Sequence, residues 1–183
     1  MKLLPTALPG AHVVELEPLG DERGWFARTF DAAAFAALGL DARVVQCNAS
    51  FNARAGTLRG MHLQAAPHGE AKLVRCTRGA IYDVIVDLRP ESEAYCRWFG
   101  IELRAGGTAS LFAPAGCAHG FQTLTEDVEV SYQMSHPYVP EAAGGVRWDD
   151  PAFGIPWPSD ERTIIQRDRQ WPDFIGEARP GHA

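Results

Sequence analysis

Polar and apolar residues alternate with a period of two over several short stretches of this chain. In Val128-Glu129-Val130-Ser131-Tyr132-Gln133-Met134, the residues Val128, Val130, Tyr132 and Met134 share one face. That face is apolar apart from one phenol, which predicts a strand lining a barrel interior. Along Ala80 to Leu88, Tyr82, Val84, Val86 and Leu88 fall on one side, and Ile81, Asp83, Ile85 and Asp87 on the other. Both sides are half apolar or more, as in a strand covered on both faces. The stretch Leu73 to Cys76 runs into Arg78-Gly79, a turn towards the next strand. A strand over Leu58–Gln64 would point Leu58, Gly60, His62 and Gln64 one way and Arg59, Met61 and Leu63 the other. Gly60, lacking a side chain, would then leave room for a ligand beside His62.

Helical signal is confined to Asp31-Ala32-Ala33-Ala34-Phe35-Ala36-Ala37-Leu38, which opens on a good N-cap residue and closes at Gly39. The tail beyond Pro151 carries Pro156, Pro158, Pro172 and Pro180 and should be irregular, with at most short helices. Gly and Pro punctuate the rest into short segments, the pattern of an all-β barrel or sandwich. With 183 residues and no repeat or composition shift, one domain over 1–183 is expected.

A net charge of −6 argues against nucleic acid as a partner. No apolar run approaches the roughly 20 residues of a membrane span, so no membrane partner is expected. Cys47, Cys76, Cys96 and Cys117 match no C-x-x-C pattern and suit reduced thiols in a cytoplasmic protein.

The chemistry concentrates in Thr57-Leu58-Arg59-Gly60-Met61-His62-Leu63-Gln64, in Lys72, and in Pro114-Ala115-Gly116-Cys117-Ala118-His119. A histidine, nearby arginines and a lysine are the parts needed to move a proton on an anionic substrate. Each has a plainer reading. His62 also fits a structural histidine. Lys72, sharing a face with Val74 and Cys76, fits either a barrel mouth, reaching outward, or an interior role at a developing oxyanion. Tyr132 fits a core tyrosine or a general acid opposite His62.

The P-x-G-x-x-H stretch ending at His119 resembles the second motif of the cupin superfamily. Cupins usually place H-x-H in the first motif, whereas His62-Leu63-Gln64 has Gln in the second place. A metal-dependent cupin enzyme using His62, His119 and Glu70 is one alternative, and a non-catalytic sugar-nucleotide-binding module another.

Taken together the motifs resemble the dTDP-4-dehydrorhamnose 3,5-epimerase family, the RmlC-like branch of the cupins. The resemblance runs from about Val13 to Trp171. It rests on Asp21-x-Arg23-Gly24-x-Phe26, Gln46-x-Asn48-x-Ser50, Leu58-Arg59-Gly60-x-His62-x-Gln64 and Lys72-Leu73-Val74. It continues through Gly79-x-Ile81-x-Asp83-Val84, Val86-Asp87-Leu88-Arg89, the stretch 114–121, Trp148-x-Asp150-Pro151 and Ile155-x-Trp157-Pro158. It implies a metal-independent, cofactor-free cupin-type jelly-roll β-barrel with short peripheral helices. It also implies a homodimer acting on a nucleoside-diphosphate 4-keto-6-deoxy sugar, by default dTDP-4-dehydro-6-deoxyglucose.

By the same resemblance His62 is the base, Asp168 the carboxylate that pairs with it, Lys72 the cation for the enolate oxygen and Tyr132 the acid. Arg23, Arg59 and His119 would line the substrate site, with Gln46 and Asn48 near the nucleotide end. Phe26 belongs to the first motif. Arg28 stands where the family usually carries glutamate, and Arg167 where it usually carries lysine. Tyr138 occupies the place of an aromatic able to stack on the base. Trp25, Phe26 and Phe30 would suit strand exchange with a partner barrel.

Overall fold

The computed structural model describes residues 1–176; the remainder of the expected domain, with Pro180, lies outside the described residues. The strands, in chain order, begin with β1 (Lys2–Pro5), β2 (His12–Glu15), β3 (Leu19–Asp21) and β4 (Gly24–Phe26). After helix α1 (Ala32–Ala37) come β5 (Gln46–Asn52), β6 (Leu58–Gln64), β7 (Lys72–Arg78) and β8 (Ala80–Asp87). Then follow β9 (Trp98–Arg104), β10 (Ala109–Ala113), β11 (Cys117–Thr123), β12 (Val128–Met134) and β13 (Ala143–Gly145), with a closing short helix α2 (Gln166–Arg169).

Two antiparallel sheets face each other. One has the order β1-β2-β10-β7-β12-β5 and the other β13-β6-β11-β8-β9. This is the all-β architecture that the punctuated alternation implied and the jelly roll that the family resemblance implied, and the two short helices are peripheral. The interior between the sheets is filled by Val74, Cys76, Ile81, Ile85, Leu111, Phe121, Val128 and Val130, all buried. The odd-numbered side of β8 therefore faces the interior. Its other side, with Val84 and Val86, packs beneath Phe153 and Trp157 of the C-terminal tail. Burying such side chains contributes about 1.5–3 kcal/mol each, and two buried faces explain why β8 is apolar on both.

Helix α1 forms where expected. The Asp31 carboxylate accepts hydrogen bonds from the Ala33 and Ala34 N–H groups, and Gly39 ends it at φ +69°. Phe35 of α1 packs on Phe112, with ring centroids 5.2 Å apart, closing the outer face of the six-stranded sheet.

Strict alternation fails in β6. His62 pairs with His119 of β11, but Arg59 pairs with Phe121, so one extra residue bulges out between them. Met61 turns into the outer core beside Leu58, and Arg59 comes to the same side as His62. The expectation that Arg59 points away from His62 is thereby corrected. So is the role of Gly60. The space a side chain would need is taken by the facing backbone, since a Cβ there would lie 2.6 Å from the Gly120 Cα.

Candidate active site

A cavity of about 310 Å³ opens between the two sheets, lined by His62, Lys72, His119 and Tyr132 with Arg59 and Asn48. A chamber of about 320 Å³ adjoins it, shares His62, Lys72 and Arg167, and reaches Tyr138.

His62 stands on β6, and its Nε2 lies 2.8 Å from Asp168 Oδ1. Asp168 reaches it from α2, far along the chain, and is 1 % exposed. Burial alone would raise this carboxyl. The hydrogen bond and charge of His62, with the Gly60 N–H and Arg167, outweigh burial and hold it below the usual range. An ionised carboxylate only accepts, so His62 Nε2 carries the donated proton and Nδ1 is left as the basic nitrogen. The Arg167 guanidinium caps the pair, 3.3 Å from both Asp168 Oδ1 and His62 Nε2.

Tyr132 stands on β12, in the opposite sheet. Its hydroxyl lies 3.2 Å from Ser50 Oγ on β5. Burial pushes the phenol well above its ordinary pKa, with the Ser50 hydrogen bond opposing. Lys72 opens β7 and is buried, not at an exposed barrel mouth. Its Nζ donates to the His62 carbonyl at 2.8 Å and lies 2.9 Å from Glu70 Oε1. Burial lowers its pKa, opposed by the Glu70 charge.

His119 is buried, and its Nε2 lies 2.7 Å from Asp83 Oδ1. Its ring meets that of Tyr132 edge-on at 6.1 Å. Burial raises the Asp83 carboxyl despite His119 and Lys72. Arg59 is oriented by Asn52 Oδ1 at 2.7 Å. Gln46 sits beside the chamber and accepts the Tyr138 N–H at 3.1 Å, while Gln64 Oε1 accepts the Val139 N–H at 2.6 Å. These two amides fix the segment that carries Tyr138.

Arg23, Phe26 and Arg28 are not brought to this cavity within the chain. Arg23 and Phe26 lie on the β3–β4 hairpin, which pairs with no other strand among the described residues. Arg23 is ion-paired to Asp21 and Arg28 to Asp31, and Phe26 is 76 % exposed. Phe30 packs on Phe35 within the chain, with ring centroids 5.0 Å apart.

The three residues of the metal alternative are each held by a different partner: His62 by Asp168, His119 by Asp83, Glu70 by Lys72. Among the described residues no three His, Cys, Asp or Glu side chains gather as a metal site. Partners that the sequence reading passed over are Asp83, Ser50 and the Glu70–Lys72 pair. Asp83 was signalled by its place among apolar residues on the interior side of β8. Glu70 was signalled by its two-residue spacing from Lys72.

A family model described as dTDP-4-dehydrorhamnose 3,5-epimerase matches residues 5–175. The dTDP-4-dehydrorhamnose 3,5-epimerase of Methanothermobacter thermautotrophicus is 44 % identical over 174 residues, covering 93 % of this chain and 92 % of that protein. Among solved structures, the enzyme of that name from Elizabethkingia anophelis superposes with a TM-score of 0.92 at 37 % identity, covering 95 % of this chain and 96 % of the other. The one from Bacillus anthracis, with TDP and PPi bound, superposes with a TM-score of 0.90 at 38 % identity, covering 94 % and 99 %. With a family model spanning almost all of the described chain, a relative of this identity and a shared fold, the chain belongs to the dTDP-4-dehydrorhamnose 3,5-epimerase family.

Proposed function

We propose that this protein epimerises C3 and C5 of a dTDP-linked 4-keto-6-deoxy sugar, turning dTDP-4-dehydro-6-deoxyglucose into dTDP-4-dehydrorhamnose. The observation that carries the reading is His62, paired with Asp168, on one sheet and Tyr132 on the other, across one cavity. Inversion at carbon needs a proton removed from one face and returned to the other, and opposed sheets supply both.

The 4-ketone acidifies the hydrogens on C3 and C5. His62 Nδ1 removes one of them, and the electron pair of the broken C–H bond moves to the ketone oxygen as an enolate. Asp168 stabilises the imidazolium that results. The Lys72 ammonium faces the enolate oxygen, where a preorganised cation in a site shielded from water lowers the barrier. Tyr132 then donates its hydroxyl proton to the opposite face of the carbon. Its raised pKa keeps it protonated until that step. Solvent returns a proton to Tyr132 and takes one from His62. Arg59 and Arg167 suit the anionic diphosphate, and Tyr138 offers a face for the nucleobase.

The enzyme works as a homodimer in the cytoplasm. Arg23, Phe26 and Arg28 sit on an exposed edge away from their own cavity, which suits delivery to a partner's. Four free cysteines fit a reducing compartment.

The test is incubation with dTDP-4-dehydro-6-deoxyglucose in deuterated water, followed by NMR. Deuterium should enter at both C3 and C5, and His62→Ala should slow this by about 10²–10⁴-fold. Exchange at one position would restrict the reaction to a single centre, and exchange at neither would overturn it.

A further inference from the structure

Glu70 is a buried carboxylate beside the cavity to which the chemistry above gives no task. It is 6 % exposed. Its Oε1 meets Lys72 Nζ at 2.9 Å, and its Oε2 is buried without a hydrogen-bond partner. Among the other buried carboxylates, Asp83 likewise meets a single side chain, His119, while Asp168 accepts from the Gly60 N–H. Asp87 accepts from the Arg89 N–H, and Asp150 from those of Ala152 and Phe174. Glu70 holds no backbone amide among the described residues. Leaving a carboxylate buried on a single ion pair is costly to the fold, so its use is sought in what that pair does.

The cation it holds is unusual for this chain. Of 17 Lys and Arg residues only two are lysines, Lys2 and Lys72. Lys2 lies on the surface with 62 % of its side chain exposed. Of the lysine and arginine side chains at the cavity, Lys72 is therefore the one that can lose its charge, whereas Arg59 and Arg167 stay charged at any working pH. Burial pulls Lys72 towards the neutral amine. Glu70 opposes this most strongly, ahead of Asp83 and Cys117. The other titratable groups facing the same space are His62 and His119 from β6 and β11, and Tyr132 from β12.

We propose that Glu70 is a positioning residue for the reaction: its carboxylate holds Lys72 as an ammonium at the cavity wall, where the enolate oxygen forms. This rests on the epimerase reading. It adds a residue that lines the adjoining chamber and acts on the reacting carbons through Lys72.

The experiment uses the full chain as Glu70→Gln and Glu70→Asp, with lysine side chains labelled for NMR. Two lysines give two signals, and the surface one is an internal reference. In Glu70→Gln the Lys72 signal should titrate at least about one pH unit lower. The alkaline limb of kcat for C3 and C5 exchange should move down by the same amount, a loss of about tenfold on that limb per unit. KM should change less than kcat, since the role acts on the reacting step through Lys72. Glu70→Asp keeps the charge on a shorter arm and should fall between Glu70→Gln and wild type. It carries the same comparison should Glu70→Gln fail to fold. An unchanged Lys72 titration in the variants, or a loss of kcat equal at every pH, overturns the proposal. If wild type exchanges no hydrogen at all, the epimerase reading fails and the positioning role falls with it. The Lys72 titration, which needs no substrate, then shows separately whether the pair is coupled.

Discussion

At the scale of single residues, the proposed reaction divides the labour of inversion between His62 and Tyr132, and one substitution should separate their parts. Tyr132→Phe removes the acid and leaves the His62–Asp168 pair and Lys72 intact. Deuterium should still enter C3 and C5 from the His62 side, while inverted product falls by about 10²–10⁴-fold. NMR of isotope content and of ring configuration in the same sample checks this, and equal loss of both would place Tyr132 elsewhere in the reaction. The family resemblance singled out His62, Lys72 and Tyr132, whereas the alternating pattern left each open between a structural and a chemical role. Their partners were harder to read. Asp168 and Asp83 reach their histidines over separations of 106 and 36 residues, and nothing local to either histidine announces them.

At the scale of elements, the strands covered evenly by neighbours were the ones readable in advance. β12 and β8 show their faces because every second residue meets the same kind of surface. Helix α1 shows its ends because Asp31 and Gly39 act locally. The irregularity in β6 was hidden, because it depends on a contact between Gly60 and Gly120 on different strands. A Cβ at Gly60 would need φ +141° and would sit 2.6 Å from the Gly120 Cα. Gly60→Ala should therefore destabilise the fold by about 1–3 kcal/mol and lower kcat by displacing Arg59 and His62. Gly144→Ala serves as the control for stability, since a Cβ there meets nothing within 4 Å. Urea denaturation of both variants checks the contrast. Equal midpoints would mean the strand can relax without the close approach.

At the scale of the whole molecule, the β3–β4 hairpin is the part that the barrel leaves unused. Leu19, Trp25 and Phe26 are 74, 52 and 76 % exposed, a concentration of large apolar side chains on one small element that marks an interaction surface. Sedimentation should find a dimer, and Phe26→Glu should shift it towards monomer and weaken substrate binding together. A compact monomer in the wild type would contradict the assignment. The sequence placed Phe26 in a motif shared with the family but could not say that its own cavity lies out of reach.

The C-terminal tail has a further consequence for how activity first arises. It covers the outer face of the five-stranded sheet with Phe153 and Trp157 and then delivers Asp168 to His62. Every other member of the reacting set is made earlier on the ribosome. A nascent chain holding His62, Lys72 and Tyr132 but not yet α2 still has an unoriented base, so the proposed proton abstraction waits for that later segment. The docking of one late segment both seals the barrel and arms it.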